Sequence, residues 1–116
     1  MQSMGPVVGG SSISQLRRGV LEYCVLALLR GTERYSYEIV HALGQVEALV
    51  TTEGTLYPLL SRLRKEELVA SSWRESDAGP PRRYYRLTAS GEARLESFIG
   101  EWGRFRDSVD MLLEGQ

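Results

Sequence analysis

Thr55, Tyr57, Arg62 and Arg64 stand in the run Gly54-Thr55-Leu56-Tyr57-Pro58-Leu59-Leu60-Ser61-Arg62-Leu63-Arg64, with Lys65 following. Hydroxyls and cations in this company suit recognition rather than bond-breaking: they donate to base edges and to phosphate oxygens. Leu56, Leu59, Leu60 and Leu63 recur at helical spacing, so one face is apolar and the polar set lies elsewhere on the helix. A short helix with one buried stripe and exposed hydroxyls and cations suits insertion into the DNA major groove.

Other chemistries find little support. No Ser/His/Asp set, paired-carboxylate pocket or phosphate-cradling glycine loop is evident, so an enzyme is not expected. Gly9 and Gly10 lack a preceding strand and a following lysine. His41 is the sole histidine and has no metal-ligand partner at helical spacing; no metal and no cofactor are expected. Cys24 is the sole cysteine, which excludes an internal disulfide and agrees with a reducing cytoplasm. It reads either as a redox sensor or, in the favoured reading, as a small buried hydrophobe within the apolar run from Val20 to Leu29.

The chain has 116 residues and 42% hydrophobic content, enough for one small core that further burial through oligomerisation would help. No apolar run is long enough to span a membrane, and the start lacks the pattern of a secretory signal. The net charge is −1, but its distribution matters more. Residues 53–86 carry seven cations against five acids, whereas residues 87–116 carry three arginines against six acids. The middle is the basic part, and the acidic end would stay away from phosphate.

The flanking elements must present the central helix. Residues 1–13, with Gly5, Gly9, Gly10, Ser11 and Ser12, read as a flexible tail. A first helix is expected over 14–30, capped by Ser14, ended by Gly31 and packed through Leu16, Val20, Cys24, Ala27 and Leu28. A second opens near Tyr35-Ser36-Tyr37, with Ser36 as N-cap and Ile39, Val40 and Leu43 buried. Pro58 is tolerable only in a first turn, so the third helix should begin within a few residues before it. Two alternating runs, 68–76 and 82–87, flank Asp77-Ala78-Gly79-Pro80-Pro81 and read as a β-hairpin with a projecting tip, too long for a two-residue turn. Trp73 is expected to pack the hairpin on the body. Thr88 caps a last helix over 89–114, about 39 Å long. Its Leu95, Phe98, Trp102, Phe105, Val109 and Leu112 recur at spacings of three and four, with Ile99 and Leu113 widening a coiled-coil-like seam.

The expected fold is therefore mainly α with a small β-hairpin: a winged helix-turn-helix over 14–88 and a C-terminal dimerisation helix over 89–116. The third helix would enter the major groove and the hairpin would reach neighbouring phosphates.

Three stretches carry a family resemblance. Leu21-Glu22-Tyr23-Cys24-Val25-Leu26-Ala27-Leu28-Leu29 with Tyr35-Ser36-Tyr37-Glu38-Ile39 looks like the opening helix pair of PadR-type transcriptional regulators. The Gly54–Leu63 run is similar to their recognition helix and is the most specific motif. Gly79-Pro80-Pro81-Arg82-Arg83-Tyr84-Tyr85-Arg86-Leu87-Thr88, then Gly91, looks like their wing and the entry to the last helix. The resemblance covers about residues 16–113 and is to the short subclass with one C-terminal helix.

It implies a cytoplasmic, homodimeric bacterial repressor of a nearby gene, bound to double-stranded DNA at a palindromic operator and released by a small-molecule effector. The DNA-contacting positions would be Ser36 and Tyr37, then Gly54, Thr55 and Tyr57, then Arg64 and Lys65, with Arg82 and Arg83 from the wing. Many relatives carry Gly where Ser36 stands, so Ser36 would itself donate to phosphate. Arg64 and Lys65 can equally be a solvated face, given Glu66 and Glu67 beside them. Trp102 reads either as a dimer-core aromatic or as the wall of a flat cavity for a planar effector, with Phe98, Phe105 and Tyr23 completing it. The competing function is a winged-helix protein-interaction module that binds no DNA, which the negative net charge slightly favours.

Overall fold

The computed structural model describes residues 12–115. The elements run α1 (Ser12–Leu28), β1 (Arg34–Tyr35), α2 (Ser36–Leu43), a 3₁₀ turn (Glu47–Leu49), α3 (Glu53–Lys65), β2 (Val69–Ser76), β3 (Gly79–Leu87) and α4 (Ala89–Leu113). Among the described residues there are four α-helices and a three-stranded antiparallel sheet of order β1-β3-β2. The core draws on every helix and on the sheet: Leu21, Val25, Leu26 and Leu29; Ile39 and Leu43; Leu56, Leu60 and Leu63; Leu68, Val69 and Tyr85; and Leu95.

Several expectations are corrected. The flexible tail lies outside the described residues, except that Ser12 and Ile13 already belong to α1, which places Ser14 inside the helix rather than at its cap. The face of α1 is rotated from the expected one. Leu21, Val25 and Leu29 are buried, while Leu16 is 53% exposed. From Val20 onward α1 is apolar around most of its circumference, so its spacing admits two registers one residue apart. Gly31 does end the turn after α1, with φ +79°. Tyr35, not Ser36, is the N-cap of α2, and the Glu38 carboxylate accepts from the Tyr35 backbone N–H at 3.1 Å.

Thr52 caps α3 by accepting from the Thr55 N–H at 3.2 Å, so Thr55 is inside the helix. Pro58 then falls in the second turn, and the Gly54 carbonyl lacks its intrahelical donor there. At the far end of α3 Glu67 adopts φ 63°, which lets the Leu68 N–H reach the Leu63 carbonyl at 2.9 Å. That is the six-to-one bond of a Schellman ending, made here without glycine, with Leu63 and Leu68 both buried beside it.

The wing turn is tighter than expected. Strands β2 and β3 are joined by Asp77-Ala78 alone, and Ser76 pairs with Gly79. Pro80 and Pro81 sit inside β3, at the register shift between the Arg74–Arg82 and Ser76–Gly79 pairs. A bulge needs no ladder donor there, so two prolines are accommodated. Strand β1, two residues long, was not anticipated; Arg34 pairs with Tyr85 and Tyr35 with Tyr84. It ties the start of α2 to the wing.

Helix α4 begins as expected. The Thr88 hydroxyl accepts from the Gly91 N–H at 3.0 Å and donates to the Glu67 carbonyl at 2.7 Å. Gly91 lies against the Leu68 carbonyl, with no room for a Cβ. The wing, the end of α3 and the start of α4 are thereby locked together.

Candidate nucleic-acid interface

The N-termini of α2 and α3 meet beside the wing. The buried Ser36 hydroxyl donates to the Glu53 carboxylate at 3.0 Å and pairs with the Tyr57 hydroxyl at 3.3 Å. This cluster joins the first turn of one helix to the first two turns of the next. It also commits Ser36 inside the protein, so its expected donation to phosphate would require the Glu53 bond to break. Tyr57 is 51% exposed and its ring borders the solvent. Tyr37 is exposed, stacked between Tyr35 (centroids 6.3 Å) and His41 (6.1 Å). Gly54 and Thr55 are exposed on the first turn of α3. Tyr37, Gly54, Thr55 and Tyr57 therefore stand as one exposed set around the leading end of α3.

Arg64 and Lys65 are exposed too, but in the last turn of α3, about 15 Å along the axis from Gly54. They belong to a different part of the surface. Arg62 is tied to the body by Glu22 at 2.7 Å and Glu66 at 3.3 Å. The hydrogen bond it donates to the Glu22 carboxylate is the main reason its pKa is raised.

On the wing three arginines lie over aromatic rings. Arg82 covers Tyr35 at 4.5 Å, Arg83 covers Trp73 at 4.8 Å, and Arg74 covers Tyr84 at 4.2 Å while pairing with Glu33. Arg82 and Arg83 rest on different rings, yet both border the cleft between the wing and α3. The Nε of Arg83 is buried without a partner among the described residues. Trp73, expected to pack on the body, is 64% exposed and serves as the platform for Arg83. This cleft, of about 470 Å³, is lined by Ser36, Glu53, Tyr57, Trp73, Arg82 and Arg83, among others. Glu53 and Thr52 were not anticipated. Thr52-x-x-Thr55 is a legible cap pattern, but the partnership of Glu53 with Ser36 spans 17 positions and leaves no local signal.

A second candidate region lies between α1 and α4. Tyr23 stacks on Phe98 at 4.0 Å and 5°, Phe98 on Trp102 at 5.5 Å, and Trp102 stands 6.2 Å from Phe105. A groove of about 330 Å³ is lined by Leu16, Val20, Phe98, Trp102 and Phe105, with Gln15, Gly19 and Glu101. Tyr23 is not on it: the stacking against Phe98 leaves no space for a ring between them. Leu95 is also corrected as a seam residue, because it is 1% exposed within its own subunit's core. Ile99, Phe105, Val109, Leu112 and Leu113 remain exposed, and Phe98 and Trp102 are half-buried. Among the described residues no group of histidine, cysteine or acidic side chains could hold a metal, and no helix is long and apolar enough to cross a membrane.

Comparison with known proteins agrees with this architecture. The model of the transcriptional regulator PadR-like family matches residues 25–97. A PadR family transcriptional regulator from Eggerthella lenta superposes with a TM-score of 0.78 at 37% identity, over 88% of each chain. A PadR-like transcriptional regulator from Bacillus cereus gives 0.78 at 39% identity, over 89% of this chain and 100% of that one. An uncharacterised protein from Lysinibacillus sphaericus is 32% identical over 104 residues, 88% of this chain and 95% of its own. With the helix pair, the Gly54–Leu63 helix and the wing all in place, this chain belongs to the PadR-like family of transcriptional regulators.

Proposed function

We propose that the chain is a homodimeric, sequence-specific DNA-binding repressor of a nearby operon, acting on a palindromic operator and released by a small-molecule effector at the dimer interface. The observation that carries the DNA reading is the exposed set of Tyr37, Gly54, Thr55 and Tyr57 around the leading end of α3, beside a wing bearing Arg82 and Arg83. Hydroxyls and glycine at a helix start allow close approach to base edges and phosphate. The apolar residues left exposed on α4 support its role as the dimerisation helix. Two reading heads fit paired half-sites only near one helical turn of separation, about 34 Å. An effector seated between α1 and α4, against Trp102, Phe98 and Phe105, would alter that separation, so that DNA and effector oppose each other.

A gel shift against the DNA upstream of the chain's own gene tests the reading. Wild-type protein should bind, with affinity falling steeply between about 50 and 300 mM salt. Tyr57→Ala with Arg82→Ala should weaken binding by about tenfold or more while the dimer persists. No shift at any salt would support the protein-interaction alternative instead. Trp102→Ala should impair the effector response more than it impairs DNA binding; an unchanged ligand titration would remove Trp102 from the mechanism.

A further inference from the structure

Two clefts flank the first turn of α3. One is the wing cleft already described. The other, about 360 Å³, lies on the opposite flank, where Arg17 and Arg18 of α1 face Thr51, Thr52 and Thr55. No acidic residue lines it. The Arg17 Nε donates to the Ala48 carbonyl at 2.8 Å, which holds that side chain against the 3₁₀ turn and leaves its terminal nitrogens available. Arg18 is exposed, and neither arginine has a carboxylate partner among the described residues.

Of the nearby acids, Glu22 and Glu53 are committed elsewhere, and exposed Glu47, beside Ala48, does not line the cleft. Glu22, one turn along α1, is engaged by Arg62 at 2.7 Å. Glu53 is held by Ser36 on the far side of α3. Other arginines of the same half of the chain are likewise occupied: Arg30 pairs with Glu96 at 3.6 Å, and Arg34 donates to the Leu28 carbonyl. The four arginines and four glutamates before residue 53 cancel in sum, but the fold separates them and concentrates unpaired cation at Arg17 and Arg18.

We infer that this cleft is a second phosphate-binding site, which takes a backbone phosphate of the DNA strand opposite the one approached by the wing. The inference rests on the DNA reading proposed above. The major groove is about 12 Å wide and bounded on each side by a phosphate backbone. A helix end that enters it has a strand on both flanks, and the wing can serve only one. Arg17 and Arg18 supply charge on the other flank, and the Thr51 and Thr55 hydroxyls supply short-range donors beside it, while the Thr52 hydroxyl is spent on capping α3 and on a bond to the Thr55 Oγ1 at 3.2 Å. Such a contact positions the protein and carries no base preference.

The test is the salt dependence of binding by fluorescence anisotropy, on operator and on random duplex, for wild type, Arg18→Gln, and Arg17→Gln with Arg18→Gln. Each arginine lost should lower the log–log slope by about 0.9, and both duplexes should weaken by the same factor. Arg18→Lys should restore the slope. Phosphate-ethylation interference should lose a position on the strand away from the wing. If Arg17→Gln disturbs the fold, seen by circular dichroism, Arg18→Gln alone carries the test. A wild-type slope and interference pattern in Arg18→Gln would overturn this site while leaving the DNA reading intact. Thermal stabilisation by free inorganic phosphate that disappears in the variants, with the DNA slope unchanged, would likewise overturn it. Wild-type protein that binds no DNA overturns both.

Discussion

Burial holds the Cys24 thiol above its ordinary pKa, so thiolate is scarce in the folded chain at neutral pH. The fold therefore keeps this proton longer than the unfolded chain does. The associated stability is fully present below the unfolded thiol's pKa and is lost as pH rises through the folded one. Maleimide should modify Cys24 several-fold more slowly in native protein than in urea at pH 7, followed by mass spectrometry. Equal rates would show an accessible, reactive thiol and revive the sensor reading set aside from the apolar run around it. At this scale exposure was legible and partnership was not. Tyr57 and Thr55 declare themselves on a helix whose buried leucines fix the other face. Ser36 does not: the residue type suits a cap, a phosphate donor or an internal hydrogen bond, and only the approach of Glu53 and Tyr57 selects the last. Arg82 and Arg83 are a similar case, since nothing local in the sequence shows that one rests on Tyr35 and the other on Trp73.

Elements with a strong internal signal were readable, and those decided by long-range contact were not. The end of α1, the leucine face of α3 and the Thr88 start of α4 each rest on residues within one or two turns. Strand β1 exists because β3 lies beside it, and the tight wing turn exists because a bulge absorbs Pro80 and Pro81. The junction of wing and α4 depends on contact of the second kind. A Cβ at Gly91 would stand 2.0 Å from the Leu68 carbonyl oxygen and 2.7 Å from the Leu87 side chain. The carbonyl belongs to backbone and cannot swing aside. Gly91→Ala should therefore destabilise the fold by about 2–3 kcal/mol, by the mechanism of overpacking, even though alanine favours helix. Urea melts monitored at 222 nm would report it. A midpoint equal to or above wild type would mean that α4 can shift away from Leu68 without loss, and that the lock between wing and C-terminal helix is weaker than the geometry indicates.

For the whole molecule the balance between buried and exposed apolar surface sets the argument. Among the described residues the core contains thirteen buried hydrophobic side chains, and α4 contributes only Leu95 to it. Beyond that point Ile99, Phe105, Val109, Met111, Leu112 and Leu113 remain exposed, the last two at 79% each. The seven-residue spacing along α4 was legible, but its spacing alone could not say which of its residues turn inward to their own subunit. The first turns of α4 pack on α1, so Leu95 serves the monomer and the proposed seam begins at Phe98 and Ile99. Leu95→Ala and Leu112→Asp with Leu113→Asp should then fail in different ways. Leu95→Ala removes a fully buried side chain and should cost the subunit about 2–5 kcal/mol of stability. The aspartate pair should leave the helical spectrum of the subunit nearly unchanged and shift sedimentation toward 13.0 kDa, the mass of one chain. Operator affinity should fall with it, because a single head engages a single half-site. Dimers that survive both aspartates would place the interface elsewhere on the molecule and leave the exposed end of α4 without its proposed partner.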